Sequence, residues 1–194
     1  MLKLTRIAAV ALIGLAVLLG VLFAPPTAAA VIIERVVSPG GIEAWLVRDH
    51  TNPIITMRFA FRGGAALDPE GREGLANMVS ALLDEGAGDL DSKTFQGRLE
   101  DLVITLRFDA GRDNFGGRLR TLVENKKTAF ELLTLALARP RFDAEPVERI
   151  RSQILSGLRQ DAEDPNAIAG KTLFKTLFPA HPYGRPVDGT LESV

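Results

Sequence analysis

Between Gly74 and Gly88 the chain reads GLANMVSALLDEGAG, and this stretch limits the fold more than any other. Leu75, Met78, Val79, Leu82 and Leu83 fall at i, i+3, i+4, i+7 and i+8, the spacing of a helix that buries one stripe. Gly74 precedes the stripe and Gly86 follows it, which suits a helix with a sharp start and stop. Asn77 and Ala81 are one helical turn apart and project from the same face, where a pair of ligands could clamp one ion. A catalytic zinc needs about three protein ligands and an open position for water. Asn77 offers a neutral amide, Ser80 cannot accept a proton near neutral pH, and Ala81 has no donor atom.

Three short apolar runs precede this helix, at 31–37, 42–47 and 54–61, broken by Ser38-Pro39-Gly40-Gly41 and by Asp49-His50-Thr51-Asn52-Pro53. Strands joined by tight turns imply an antiparallel meander. After the helix, Asp91-Ser92 reads as an N-cap with Phe95, Leu99 and Leu102 at helical spacing. Residues 103–109 alternate Ile104, Leu106 and Phe108 with Thr105, Arg107 and Asp109, a strand pattern, and 115–123 reads as another strand. An apolar helix at 127–138 stops at Pro140. Pro146 opens a charged helix running to about Glu163, and Asp164-Pro165 opens a shorter one ending near Phe178. A loop rich in turn residues follows at 179–190. Strands and helices in this order argue for an α+β domain, an antiparallel sheet with helices packed on one face.

The segment 1–30 has the form of a signal peptide. Lys3 and Arg6 give a basic start, 7–23 is an apolar run of 17 residues, and Ala28-Ala29-Ala30 offers small residues for cleavage before Val31. The expectation is export to a bacterial periplasm or cell envelope, with membrane contact only through this segment if it stays uncleaved. Its removal takes the formal charge from −1 to −3 (21 basic against 24 acidic residues), and no basic face for nucleic acid is apparent. With no cysteine, disulfides, thiolate metal sites and a Cys-linked lipid anchor are excluded. The two histidines, His50 and His181, sit in separate polar, turn-like contexts and read as surface residues. Asp84 and Glu85 read as solvated helix-end carboxylates, and Arg139, Arg141, Arg149 and Arg151 as a surface interleaved with Glu145 and Glu148. Trp45 reads as a packed strand residue.

Three segments in order, GLANMVSALLDEG, ARPRFDAEPVERIRSQIL and HPYGRPVDGTLESV, resemble the pitrilysin/insulinase family of zinc metallopeptidases, the inverzincins. The resemblance runs from about Ile32 to Val194. It implies an H-x-x-E-H helix at the positions held here by Asn77, Ser80 and Ala81, and a third ligand, a Glu on a later helix, at the position of Gly157. Catalytic residues, bound metal and cofactor are therefore expected to be absent, with zinc only in an active partner. Family members carry two such domains, so residues 31–194 are expected to form a first domain lacking its closing strand and helix. The resemblance further implies a non-catalytic subunit that binds an active H-x-x-E-H subunit as a heterodimer and helps to hold peptide substrate. In that family the strand matching 103–109 pairs with extended peptide; an ordinary internal strand would have no such role. The alternative is a structural or peptide-binding protein of the envelope with no peptidase partner.

Overall fold

The computed structural model describes residues 31–194, so the signal segment expected at 1–30 lies outside the described residues. The chain divides into two compact units after His50.

The first unit contains a hairpin of β1 (Ile33–Val37) and β2 (Glu43–Val47), antiparallel with Ile33 opposite Val47. Its turn is closed by the Ser38 N–H on the Ile42 carbonyl at 2.8 Å, and Gly41 supplies a φ of +82° that few other residues adopt. Arg35–Glu43 and Arg48–Glu34 pair across the strands, each at 2.8 Å. Trp45, expected to pack, is 77% exposed and donates its indole N–H to Glu43.

In the second unit, β3 (Ile54–Arg62), β4 (Thr105–Ala110) and β5 (Asn114–Leu122) form an antiparallel sheet in the order β3-β5-β4. The expected three-strand meander is therefore not formed, because β3 takes β5 rather than β2 as its partner. Residue for residue, β5 matches β3 from Ile54↔Leu122 to Arg62↔Asn114, and this register puts the apolar sets of both strands on one face. Thus Met57, Leu119 and Leu106 lie in one row and Phe59, Gly117 and Phe108 in the next. Gly117 is required there. A Cβ would sit 2.6 Å from the Phe59 ring, and without one the Phe59 and Phe108 rings meet edge to face at 6.1 Å.

The helices follow local signals. The short α1 (Leu75–Leu82) buries Leu82 with the adjoining Leu83, while Leu75, at the head of the stripe, is 47% exposed. In α2 (Ser92–Asp101), Asp91 accepts the Thr94 N–H at 2.8 Å as an N-cap, and Phe95 and Leu99 point inward one turn apart. The Thr94 contact also holds the Asp91 carboxyl below the usual carboxylate range. Ala129, Leu132, Leu133 and Ala136 make the buried stripe of α3 (Lys126–Ala138). In α4 (Ala144–Asp161), Pro146 lies within the first turn, where no intrahelical N–H is needed. The last helix, α5 (Pro165–Leu177), is capped by Asp164, which accepts the Asn166 N–H at 2.8 Å. One core joins Phe95 and Leu99 of α2, the α3 stripe, Ile104, Leu106 and Leu119, so α2 and α3 cover one face of the sheet. This is the α+β arrangement that the sequence implies. Val103 is the exception in its strand pattern: its φ of +52° ends α2 as a left-handed turn, and β4 begins only at Thr105. Nor is β4 internal, since it lies at the sheet edge.

Candidate functional site

Asn77, Ser80 and Ala81 lie within α1, and α4, which carries Gly157, packs against that helix. Ser80 is buried and donates its hydroxyl back to the Asn77 carbonyl at 2.7 Å, as a serine inside a helix commonly does. Asn77 and Ala81 are half-buried. Gly157 faces open space, because a Cβ there would meet nothing within 4 Å. These four residues do not fit a zinc ion: they present one neutral amide, one hydroxyl turned to the backbone, and two positions without a donor. Among the described residues no group of three His, Asp, Glu or Cys side chains could hold a metal.

The residues that do populate this end of α1 are the two acids read from sequence as solvated. Asp84 is 7% exposed, and its Oδ2 receives Arg107 Nη1 from β4 at 2.7 Å. Gln96 of α2 donates its Nε2 to the Asp84 carbonyl oxygen at 2.8 Å. Glu85 receives Arg149 Nη2 from α4 at 2.6 Å and the Ser92 hydroxyl at 2.6 Å. Solvation is replaced by guanidinium partners from elements 23 and 64 residues away, a pairing that no local window reveals. A usable signal did exist for Asp84. It stands seven residues after Asn77, so it continues the face of Asn77, Ser80 and Ala81. The arginines expected as an interleaved surface do pair with nearby acids: Arg141 with Asp143, Arg151 with Glu148, Arg139 with Asp89, and Arg149 with Glu145 as well as Glu85.

Ser80, Ala81, Asp84, Gln96, Arg107 and Phe108 border a cavity of about 330 Å³ beside this ion pair. Burial pushes the Asp84 carboxyl above the usual carboxylate range, and the Arg107 guanidinium draws it only partly back. Chemically the cleft is a cradle of satisfied charges. Both carboxylates are engaged by arginine, and Glu85 also accepts the Ser92 hydroxyl.

The start of α1 is held by side chains from outside the helix. Gly74 adopts a φ of +90°, and a Cβ there would lie 2.8 Å from the Asp188 carbonyl oxygen, so glycine is required. Asp68 is buried and accepts the Gly74 N–H at 2.9 Å and the Ala76 N–H at 3.0 Å, capping the helix from six to eight residues upstream. Arg185, in the loop after α5, donates to the Asp68 and Ala66 carbonyls at 2.8 and 3.0 Å, and the Ser193 hydroxyl donates to the Glu73 carbonyl at 2.7 Å. In the same loop Tyr183 packs on Phe178 and His181 and donates its hydroxyl to Asp113, a structural placement. Asp68→Ala is expected to lower stability by about 1 to 2 kcal/mol, the scale of a lost helix cap, with part recovered in Asp68→Asn. Urea unfolding of the two variants measures this.

No family model matches the chain. The Non-peptidase homolog YmxG of Helicobacter pylori is 31% identical over 146 residues, which cover 75% of this chain and 34% of that protein. The chain thus spans about a third of the length of this curated relative. Among solved structures, the peptidase M16 inactive domain from Pseudomonas fluorescens superposes with a TM-score of 0.78 at 25% identity, over 84% of this chain and 40% of that one. Pitrilysin superposes with a TM-score of 0.73 at 19% identity, over 86% of this chain and 18% of that one, a likeness of fold. The α1 scaffold, the sheet with its helical face and these relatives lead to one assignment: the chain belongs to the pitrilysin (M16) peptidase family, as a homologue without the zinc motif.

Proposed function

We propose that the protein acts as the non-catalytic subunit of an exported pitrilysin-type metallopeptidase, binding peptide substrate beside an active H-x-x-E-H subunit. One observation carries this reading. Helix α1 is fixed at its start by Asp68 and beyond its end by the Asp84–Arg107 and Glu85–Arg149 pairs, while the positions where the family binds zinc hold no ligand set. A scaffold held this firmly around blank positions supports a retained surface rather than retained chemistry. The edge position of β4 supports peptide docking in particular, since a sheet edge can accept an extended segment through backbone groups. Held against one wall only, a peptide is poorly oriented for attack; a second wall supplies the positioning.

Mixing the full-length protein with an active H-x-x-E-H subunit is expected to yield a complex on a sizing column and a higher peptidase rate. The gain should vanish when the motif Glu of the active subunit is replaced, and should survive Asn77→Ala or Ser80→Ala. An unchanged rate without a complex would overturn this reading in favour of a partner-independent binding protein of the envelope. The protein itself is expected to carry no stoichiometric zinc and to cleave no peptide alone. Elemental analysis that finds about one tightly held zinc per chain would contradict that. Export, proposed from the leader at 1–30, predicts a mature N-terminus at or near Val31, which N-terminal sequencing reads directly.

A further inference from the structure

The face of the β3-β5-β4 sheet opposite the core carries an unusual alignment of charge. The antiparallel register sets Arg58, Arg118 and Arg107 side by side in one row across the three strands. Arg120 follows on the same face two residues further along β5, between Thr56 and Thr105. In the other direction the row gives way to Ala60, Gly116 and Asp109. All four arginines are exposed. Directly opposed side chains on neighbouring strands lie about 5 Å apart at Cβ, and like charges so placed destabilise the sheet. Arg107 is relieved by Asp84, but among the described residues no ion pair joins Arg58, Arg118 or Arg120 to a carboxylate. The chain as a whole is slightly acidic, so the row is local and does not reflect a generally basic protein.

Its shape also fits a ligand. Arg58, Arg107, Arg118, Asp109 and Asn114 surround a depression of about 390 Å³ with Gly116 in its floor. A Cβ at Gly116 would come within 2.6 Å of the Phe59 carbonyl oxygen, so the floor cannot take a side chain without shifting the backbone. Guanidinium groups bind carboxylates in bidentate fashion, and neighbouring strands space them by about 4.8 Å. Two or more carboxylates along one extended segment can meet such a row. The face offers no aromatic side chain on which a base could stack, which argues against a single-stranded nucleic acid.

We propose that this outer sheet face is a docking surface for an acidic peptide segment, whose Asp and Glu carboxylates engage Arg58, Arg118 and Arg120. The proposal rests on the peptide-binding part of the function above and adds the class of peptide; it needs no partner subunit. Fluorescence anisotropy with the full chain tests it, using a labelled Glu- and Asp-rich peptide and its Gln and Asn counterpart. The acidic peptide is expected to bind about tenfold more tightly or better, with the difference shrinking as salt rises. The Arg58→Ala/Arg118→Ala double variant should lose about that factor, whereas Arg159→Ala, an exposed arginine on α4, should lose none. Because the row is held against its own repulsion, Arg118→Ala should melt at the same temperature as the parent or higher.

Equal binding of the two peptides would overturn the acidic preference while leaving a general peptide-binding role intact. Binding of neither peptide would overturn both. Unchanged binding by the double variant would place the site elsewhere and overturn the assignment. So would inorganic phosphate or a mixed-sequence single-stranded DNA that outcompetes the acidic peptide. A melting temperature lowered by several degrees in Arg118→Ala would make the row a structural element instead.

Discussion

Phe95→Ala is expected to destabilise the second unit by about 3 to 5 kcal/mol, a large share of the stability of an ordinary domain. Phe95 is 0% exposed and belongs to the cluster where α2, α3 and the sheet meet. Its removal subtracts the transfer free energy of the ring and leaves a cavity. Rigid neighbours on three elements, including Leu106, Leu119 and Leu132, cannot readily close that cavity. Leu75→Ala is the matched comparison. It removes a large apolar side chain from the helix that the sequence marks most clearly, yet Leu75 stands half in solvent, and the loss should stay below about 1 kcal/mol. Urea titrations of the two variants read the difference as a shift in midpoint at constant slope. Equal losses would mean that the core is centred on α1 and not on α2.

The second large effect is electrostatic and depends on pH. Arg107→Ala should cost about 2 to 3 kcal/mol near pH 7, between the small value of an exposed pair and the larger penalty for stranding a buried charge. The intermediate figure follows from geometry: the Arg107 side chain is 62% exposed, while that of Asp84 is 10% exposed. Asp84 already binds its proton more tightly in the folded chain than an ordinary aspartate does, chiefly because it is buried. Its contribution to stability is therefore greatest below the ordinary aspartate pKa of about 3.9 and declines as pH rises through the raised native value. Without Arg107 the opposing cation is gone and the native value climbs further. The cost of the substitution should accordingly shrink on acidification, as the carboxyl takes up its proton. Asp84→Asn in the Arg107→Ala background should recover much of the loss at pH 7 and flatten the profile. A cost that does not change between pH 4 and 7 would show that Arg107 acts through packing alone.

What could be read in the sequence was whatever a single element decides for itself. The apolar helix α3, the Asp91 cap and the inward alternation of Ile104, Leu106 and Phe108 are short-range patterns, and each appears in the structure. The misreadings are contacts between distant segments. Adjacency in sequence ties β3 to the neighbouring hairpin, whereas its partner starts at Asn114, more than fifty residues beyond its end. Asp84 and Glu85 look solvated until β4 and α4 bring Arg107 and Arg149 to them. Val103 continues the apolar alternation of its strand but turns through a left-handed conformation, which β-branched residues seldom adopt and composition does not announce. The residue types at 77, 80, 81 and 157 were legible at once. That α1 is secured by Asp68 and by a loop beyond α5 was not.

That loop has a consequence for the order in which the chain assembles. Arg185 reaches the Asp68 and Ala66 carbonyls across 117 and 119 residues, and Ser193 reaches the Glu73 carbonyl across 120. Closing a loop of that length adds little to the equilibrium cost, since each doubling of length costs only about 0.6 kcal/mol. Its influence falls on time. Contacts so far apart in sequence form slowly, and during synthesis they cannot form until the last of these residues has left the ribosome. Until then α1 has its Asp68 cap but not its clasp, and the carbonyls of Ala66, Asp68 and Glu73 remain unclaimed. The helix that is most easily read in the sequence is thus locked in place only after the strands and helices described above have been made.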